Sequence, residues 1–228
     1  MKIDVLYEDE QILVVNKPAG VSVLPEGWER SPSFLLNILA QDYGKLWTVH
    51  RLDKTTCGVL TFARNATAHR SLNTQFEQHV ITKIYHAILV GKSNWIEIKA
   101  SHPLRSNAGH SHRTVVDPAN GKKSETRFRI ISTADDHSLV EVVPQSGRTH
   151  QIRAHASALG HPILGDRLYG SPITDMIKRP ALHAYRIIFN HPGTGQPVEF
   201  SAPYPEDLVE AIRRLHFKFQ NSSRSNSI

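Results

Sequence analysis

The 228-residue chain has one cysteine, Cys57, so it cannot build an internal disulfide framework and fits a reducing compartment. It has no window near the roughly 18 apolar residues of a membrane span. Its opening, MKIDVLYEDEQ, is acidic early and lacks the apolar core of a secretory leader. No internal repeat, linker or heptad pattern is present, which excludes solenoids and coiled coils and leaves a monomer as the default. Acidic residues are in the minority: 27 Lys and Arg face 21 Asp and Glu, for a formal charge of +6 and a pI of about 9.5. With 39% hydrophobic and 21% charged residues, the composition is that of an ordinary globular domain rather than a disordered chain. A cytoplasmic, soluble protein that meets polyanions is the expectation.

The positive charge is concentrated. Lys99, Arg105, Arg113, Lys122, Lys123, Arg127 and Arg129 face only Asp117 and Glu125 in the segment they span, a surplus of +5 (seven minus two), with His102, His110 and His112 among them. A solvated basic surface would have the same composition, so composition favours nucleic acid without establishing it. The three histidines invite a metal reading, but the acid and thiol partners of ordinary metal sites are sparse nearby, and no metal is expected.

Apolar patterning gives the elements. QILVVNKP is a strand closed by Pro18 and Gly20, and a helix follows with Ser31 as cap, Pro32 in its first turn and Gly44 at its end. VLTFAR and KIYHAILVG are strands, and Asn65 caps a helix carrying Ala68, Leu72 and Phe76 on one face. The Lys99–Lys123 stretch is a long loop or loose hairpin. ETRFRIIS and SLVEVVP are strands separated by a turn at Ala134–His137, a helix runs from about Thr149 to Gly160, YRIIFN is a strand, and Pro205–Leu215 is an amphipathic helix. Strands and helices follow one another irregularly, without the βα alternation of a parallel fold. The expected architecture is α+β, a mostly antiparallel (mixed) sheet with flanking helices in a single domain over residues 1–216, and a polar tail over 217–228.

The stretch VHRLDKTTCG raises the chemical question. Asp53 stands at the mouth of an apolar strand with Arg51 two residues before it, and a guanidinium neighbour favours an ionised carboxylate. Alone, a His-Arg-x-Asp run reads more simply as a surface ion pair. In GRTHQIRAH, Arg148 and Arg153 are five residues apart near a helix start and point in different directions, one suited to phosphate and the other to the core side. Tyr85, in an apolar strand, would by itself be a core tyrosine with a satisfied hydroxyl.

Taken in order, VVNKPAGVSV, HRLDKTTCGVLTFA, KIYHAILVG, GRTHQIRAHASALGHPILGDRLYG and ALHA resemble the RluA-type family of RNA pseudouridine synthases, and the matching blocks cover nearly the whole chain. The resemblance implies the pseudouridine synthase catalytic fold and an enzyme that isomerises selected uridines in structured RNA, tRNA or large-subunit rRNA, without any cofactor. The bond from uracil N1 to ribose is broken, the base turns, and it rejoins through C5. Carried over residue by residue, the resemblance implies that Asp53 is catalytic and that Arg51, within His50-Arg51-Leu52, enters the RNA stack where the target base leaves. It implies that Tyr85 packs on the flipped uracil as acid, base or platform, that Arg153 pairs with Asp53, and that Leu182 lies beside the active site. Elementary chemistry agrees: a stacked uridine must be flipped, a long planar guanidinium can fill the gap, and a carboxylate in a closed pocket needs a cation to stay charged.

Cys57 stands where the family commonly has Ser, a mild change in volume; a nucleophilic Cys57 would need a paired His that the sequence does not single out. Many relatives carry a small N-terminal RNA-binding domain, whereas here the catalytic block comes first, so the basic segment from Lys99 to Arg129 is the leading candidate for RNA contact, and neutralising Lys122 and Lys123 in it should weaken binding. His50, His150, His155, His161 and His183 are expected to orient their neighbours rather than carry protons. Two rivals stand beside this reading: a non-catalytic RNA-binding protein on the same scaffold, and a hydrolase of glycosidic bonds. The hydrolase would need a second carboxylate, for which only Glu125 and Asp166 offer themselves.

Overall fold

A computed structural model describes residues 1–25, 34–108 and 113–217. Strands β1 (Asp4–Glu8) and β2 (Ile12–Lys17) precede α1 (Leu35–Tyr43); β3 (Trp47–Thr48) and β4 (Cys57–Ala63) lead to α2 (Ala66–Glu77) and β5 (Thr82–Val90). Then come β6 (Glu97–Ala100), the pair β7 (Leu104–Ala108) and β8 (Arg113–Val116), β9 (Thr126–Ala134) and β10 (His137–Pro144). Helix α3 (Gln151–Ala158), β11 (Leu182–Asn190), β12 (Pro197–Ser201) and α4 (Glu206–Arg214) are the last helices and strands among the described residues.

Among the described residues the main sheet runs β1-β2-β4-β11-β5-β10-β9-β6, with β12 beside β11 and β3 beside β4. Every pairing is antiparallel except that of β4 with β11, where His183 faces Cys57 and Ala184 faces Gly58. This is the mixed α+β sheet that the patterning predicts. The central strands read as continuous apolar runs because both faces are covered: all seven residues of β4 are buried.

Two packed clusters flank the sheet. One gathers β2 and β4 with Leu35 and Leu39 of α1 and Ala68 and Leu72 of α2; the other gathers β5 and β10 with Ile152 of α3 and Leu208, Ala211 and Ile212 of α4. Each fully buried Leu or Ile contributes about 1.5–3 kcal/mol of apolar transfer. Tyr85 packs against both clusters, so its strand marks the seam between the two halves of the molecule.

Several details differ from the sequence expectation. Helix α1 starts at Leu35 with Phe34 in the cap position, while Ser31 and Pro32 lie outside the described residues. Asn65 does cap α2, its Oδ1 accepting the Ala68 N–H at 2.8 Å. Of the two forms expected for the basic segment, loop or loose hairpin, the structure has the hairpin, β7–β8, beside β6; His110 and His112 between these two strands lie outside the description. Of the tail, Phe217 belongs to the second core cluster at 8% exposure; residues 218–228 lie outside the description. Helix α3 begins at Gln151, not Thr149, because His150 sits in the left-handed region at φ 51°.

Candidate active site

The segment before β4 is pinned from below. Lys17 is completely buried, and its Nζ donates to the carbonyls of Pro18, Val21 and Lys54 at 2.9, 2.7 and 3.3 Å. Gly20 N–H donates to the same Lys54 carbonyl at 2.8 Å, and Thr56 N–H closes a turn onto the Asp53 carbonyl at 3.0 Å. Leu52 is sunk into the first core cluster and anchors the other side. Asp53 is therefore held on a rigid turn with its side chain 22% exposed, while Arg51 projects into solvent.

The strand register brings the remaining walls together. Leu182 and Ala184 of β11 pair with Ala87 and Tyr85 of β5, and Val142 of β10 also faces Tyr85. The chain leaving β10 at Pro144 turns through residues 145–150 into α3. The result is a cavity of about 320 Å³ lined by Arg51, Asp53, Tyr85, Arg148, Arg153 and Leu182, with His50, Leu52, Lys83 and His150 among its other walls. That volume is near the lower end of small-molecule pockets, enough for a single nucleoside and too small for a stacked pair.

The electrostatics keep the expected Arg153–Asp53 pair and add a closer partner. Arg153 is 7% exposed, and its principal partner is Asp166, not Asp53. Its Nε and Nη2 donate to the two Asp166 oxygens at 2.7 and 2.8 Å. Only Nη1 faces Asp53, 3.8 Å from Oδ2. Burial opposes the Arg153 charge, but the Asp166 hydrogen bond and charge more than offset it, so the guanidinium is held more firmly protonated than usual. Asp166 is 1% exposed with both oxygens engaged. It is therefore not the second, reacting carboxylate of a glycoside hydrolase; it carries Arg153. Glu125 does not line the cavity and pairs with Lys99 at 3.0 Å.

His150 is the second addition. Its Nε2 lies 3.7 Å from Asp53 Oδ2, and its Nδ1 lies 3.1 Å from the Tyr169 hydroxyl. Burial pulls its pKa down, with the Asp53 charge opposing. Tyr169 also places its ring 4.9 Å from the Arg153 guanidinium. Both Asp166 and Tyr169 stand in the GDRLYG block, which marks them as part of the pattern but does not state what they touch.

Tyr85 is partly buried; burial, reinforced by the Asp53 charge, pushes its phenol well above the usual range and keeps it neutral. His50 lines the cavity, yet its Nε2 accepts the Thr61 N–H at 3.1 Å and its ring packs on Phe76. Burial and the Lys83 charge hold its pKa down to about 3, so it is a neutral wall and brace rather than a charged RNA contact. Arg148 is exposed on the rim. Lys122 and Lys123 are exposed and lie outside the cavity lining. Among the described residues no group of three His, Cys, Asp or Glu is placed to hold a metal ion, and no helix is long and apolar enough to cross a membrane. Cys57 is buried, its thiol pKa raised by burial, and it meets His183 Nδ1 at 3.3 Å beneath the site.

Residues 11–158 match the RNA pseudouridylate synthase family. The chain belongs to that family. The RNA pseudouridine synthase YhcT of Bacillus subtilis is 36% identical over 93% of this chain and 72% of its own length. Ribosomal large subunit pseudouridine synthase D of Zymomonas mobilis is 34% identical over 96% of this chain and 74% of its own. Ribosomal large subunit pseudouridine synthase C of Vibrio vulnificus is 37% identical over 92% and 69%. Among solved structures, human RNA pseudouridylate synthase domain containing 1 superposes with a TM-score of 0.76 at 30% identity, over 90% of this chain and 84% of that one. As a member of the family this RNA pseudouridine synthase is an isomerase that converts uridine in RNA to pseudouridine.

Proposed function

We propose that this synthase works on large-subunit rRNA and that Asp53 is the carboxylate that drives the isomerisation. The observation that carries the site assignment is the placement of Asp53: a partly exposed carboxylate on a pinned turn, at the wall of a nucleoside-sized cavity. It has a neutral tyrosine on one side and a structurally fixed arginine on the other. The rRNA assignment rests on the names of the relatives that cover most of the chain.

The target uridine leaves its stack at a cost of a few kcal/mol. Arg51, exposed beside the cavity, stacks into the space it vacates and touches phosphate. The uracil enters between Tyr85 and Leu182. Tyr85 serves as a platform and a hydrogen-bond donor; a phenol this hard to ionise is a poor base. Asp53 stands beside Arg153 while the bond from N1 to ribose breaks. The base turns, C5 joins the ribose, C5 gives up its proton and N1 gains one, so product and substrate are isomers.

Asp53→Asn tests the assignment. It should abolish pseudouridine formation while RNA affinity stays within a few-fold, measured by carbodiimide mapping and by filter binding. Retained turnover would remove Asp53 from the chemistry. The same mapping, on total RNA from cells with and without this gene, should lose a modified site in large-subunit rRNA; a loss confined to tRNA would overturn the rRNA assignment.

A further inference from the structure

The hydrogen bonds around Tyr169 decide which nitrogen of His150 carries the proton. Tyr169 Oη accepts the buried Thr114 N–H at 2.8 Å, so its own proton is available for the other partner at hand, His150 Nδ1 at 3.1 Å. The Thr114 hydroxyl gives its proton elsewhere, to the Thr149 carbonyl at 2.8 Å. Were Nδ1 protonated, the phenol would have to turn its proton back to the Thr114 side chain, and Nε2 would present a bare lone pair to the Asp53 carboxylate oxygen. Nδ1 is thus the acceptor, and the remaining ring proton sits on Nε2, which points at Asp53 Oδ2 from 3.7 Å.

We propose that His150 is a positioning residue for Asp53, locked by Tyr169 as its Nε2–H tautomer so that this N–H and Arg153 Nη1 together hold Oδ2 and leave Oδ1 to face the uridine. The proposal rests on the reading of Asp53 as the reacting carboxylate. Both approaches to Oδ2, at 3.7 and 3.8 Å, are longer than hydrogen bonds. Contacts of this kind tighten when substrate closes a site. His150 pays for its place in backbone conformation, at φ 51°, a region that side chains enter with strain and that clusters at functional sites. The relay reaches further. Thr114 belongs to β8, so the hairpin β7–β8 reaches the Asp53 carboxylate through Tyr169 and His150.

The first test needs no variant. The full ligand-free chain, labelled with 15N-histidine, should give an NMR spectrum with His150 protonated on Nε2 and bare on Nδ1 at neutral pH. A spectrum showing the Nδ1–H tautomer or the doubly protonated ring overturns the proposal. The second test separates positioning from backbone need. Asn suits the left-handed conformation but places its amide at the Nδ1 position, reaching Tyr169 only; Gln strains the backbone but places an N–H where Nε2 was. His150→Asn should therefore lower kcat roughly 10- to 100-fold, the scale of losing a hydrogen bond to a charged group, with KM unchanged. His150→Gln should recover turnover to within a few-fold of the parent. Equal losses in both, or a loss confined to KM, would assign His150 a merely structural role. Should Asp53→Asn keep activity while the Nε2–H spectrum is found, the catalytic reading fails and the tautomer stands, so the two ideas fail separately.

Discussion

Arg153 and Asp166 form an ion pair almost closed to solvent, and such pairs are costly to break because the survivor keeps a buried, uncompensated charge. Asp166→Ala should lower unfolding stability by about 3–5 kcal/mol, read as a shift of the urea midpoint at constant slope. It should also impair turnover, because the freed guanidinium would swing onto Asp53. A stability change under 1 kcal/mol would show that water replaces the carboxylate. At this scale the sequence names the residue types and the Arg153–Asp53 pair, which stands at 3.8 Å, but misses the closer partner of the same arginine. The arginine of GRTHQIR was expected to pair with Asp53, yet a closer carboxylate lies thirteen residues along the chain, next to the short turn at Arg167–Tyr169. Spacing says nothing about which of two acids an arginine meets when both reach it through a turn. His150 was expected to orient a neighbour, but not which one: its partners are Tyr169 and Asp53, and only the fold brings the first within 3.1 Å.

Strands β4 and β11 carry the site between them, since Asp53 precedes one and Leu182 begins the other. Their parallel contact is close because Gly58 allows it. Gly58 has φ +117°, and a Cβ there would stand 2.2 Å from the Ala184 carbonyl oxygen. The obstacle is backbone in the middle of a sheet, so nothing flexible can give way. Gly58→Ala should cost about 3 kcal/mol or more, from backbone strain of about 1–3 kcal/mol and the added clash. For a chain of this size that lowers the melting temperature by at least about 6–12 °C by calorimetry. Gly147→Ala, whose Cβ would meet nothing within 4 Å, should melt like the parent; parity between the two variants would sink the close-approach argument. The apolar strands were legible because burial on both faces leaves an unbroken run. Strand order was not, because the pairing of β4 with β11 joins residues more than a hundred positions apart, and no local pattern encodes a non-local neighbour. Short β3 and polar-edged β6 were missed because two to four residues carry too little periodicity to read.

For the molecule as a whole, the +6 charge acquires a direction only when the fold distributes it. In the basic segment, Lys99, Arg105 and Arg129 meet Glu125, Asp117 and Glu141 at 3.0, 2.6 and 3.0 Å, so composition overstated its field. Lys122 and Lys123 remain exposed, on a stretch where Lys122 bridges to Leu104 of β7 and the Glu125 carbonyl accepts from Gln151 at the start of α3. That contact chain ties the basic segment to the wall of the Asp53 cavity, whereas the sequence could read it only as a loop or loose hairpin of favourable charge. Phosphate contacts made there would release counterions, about one unit of salt dependence for each contact. The double variant Lys122→Ala, Lys123→Ala should therefore bind RNA more weakly at 100 mM salt. Its slope of log affinity against log salt should be shallower by roughly 2 if both lysines touch phosphate and roughly 1 if one does. Single-turnover chemistry at saturating enzyme should be unchanged, because neither side chain lines the cavity. A parallel salt titration, with the variant's line coincident with the parent's, would put the RNA on another face and leave Arg51 and Arg148 as the cations that hold it at the rim.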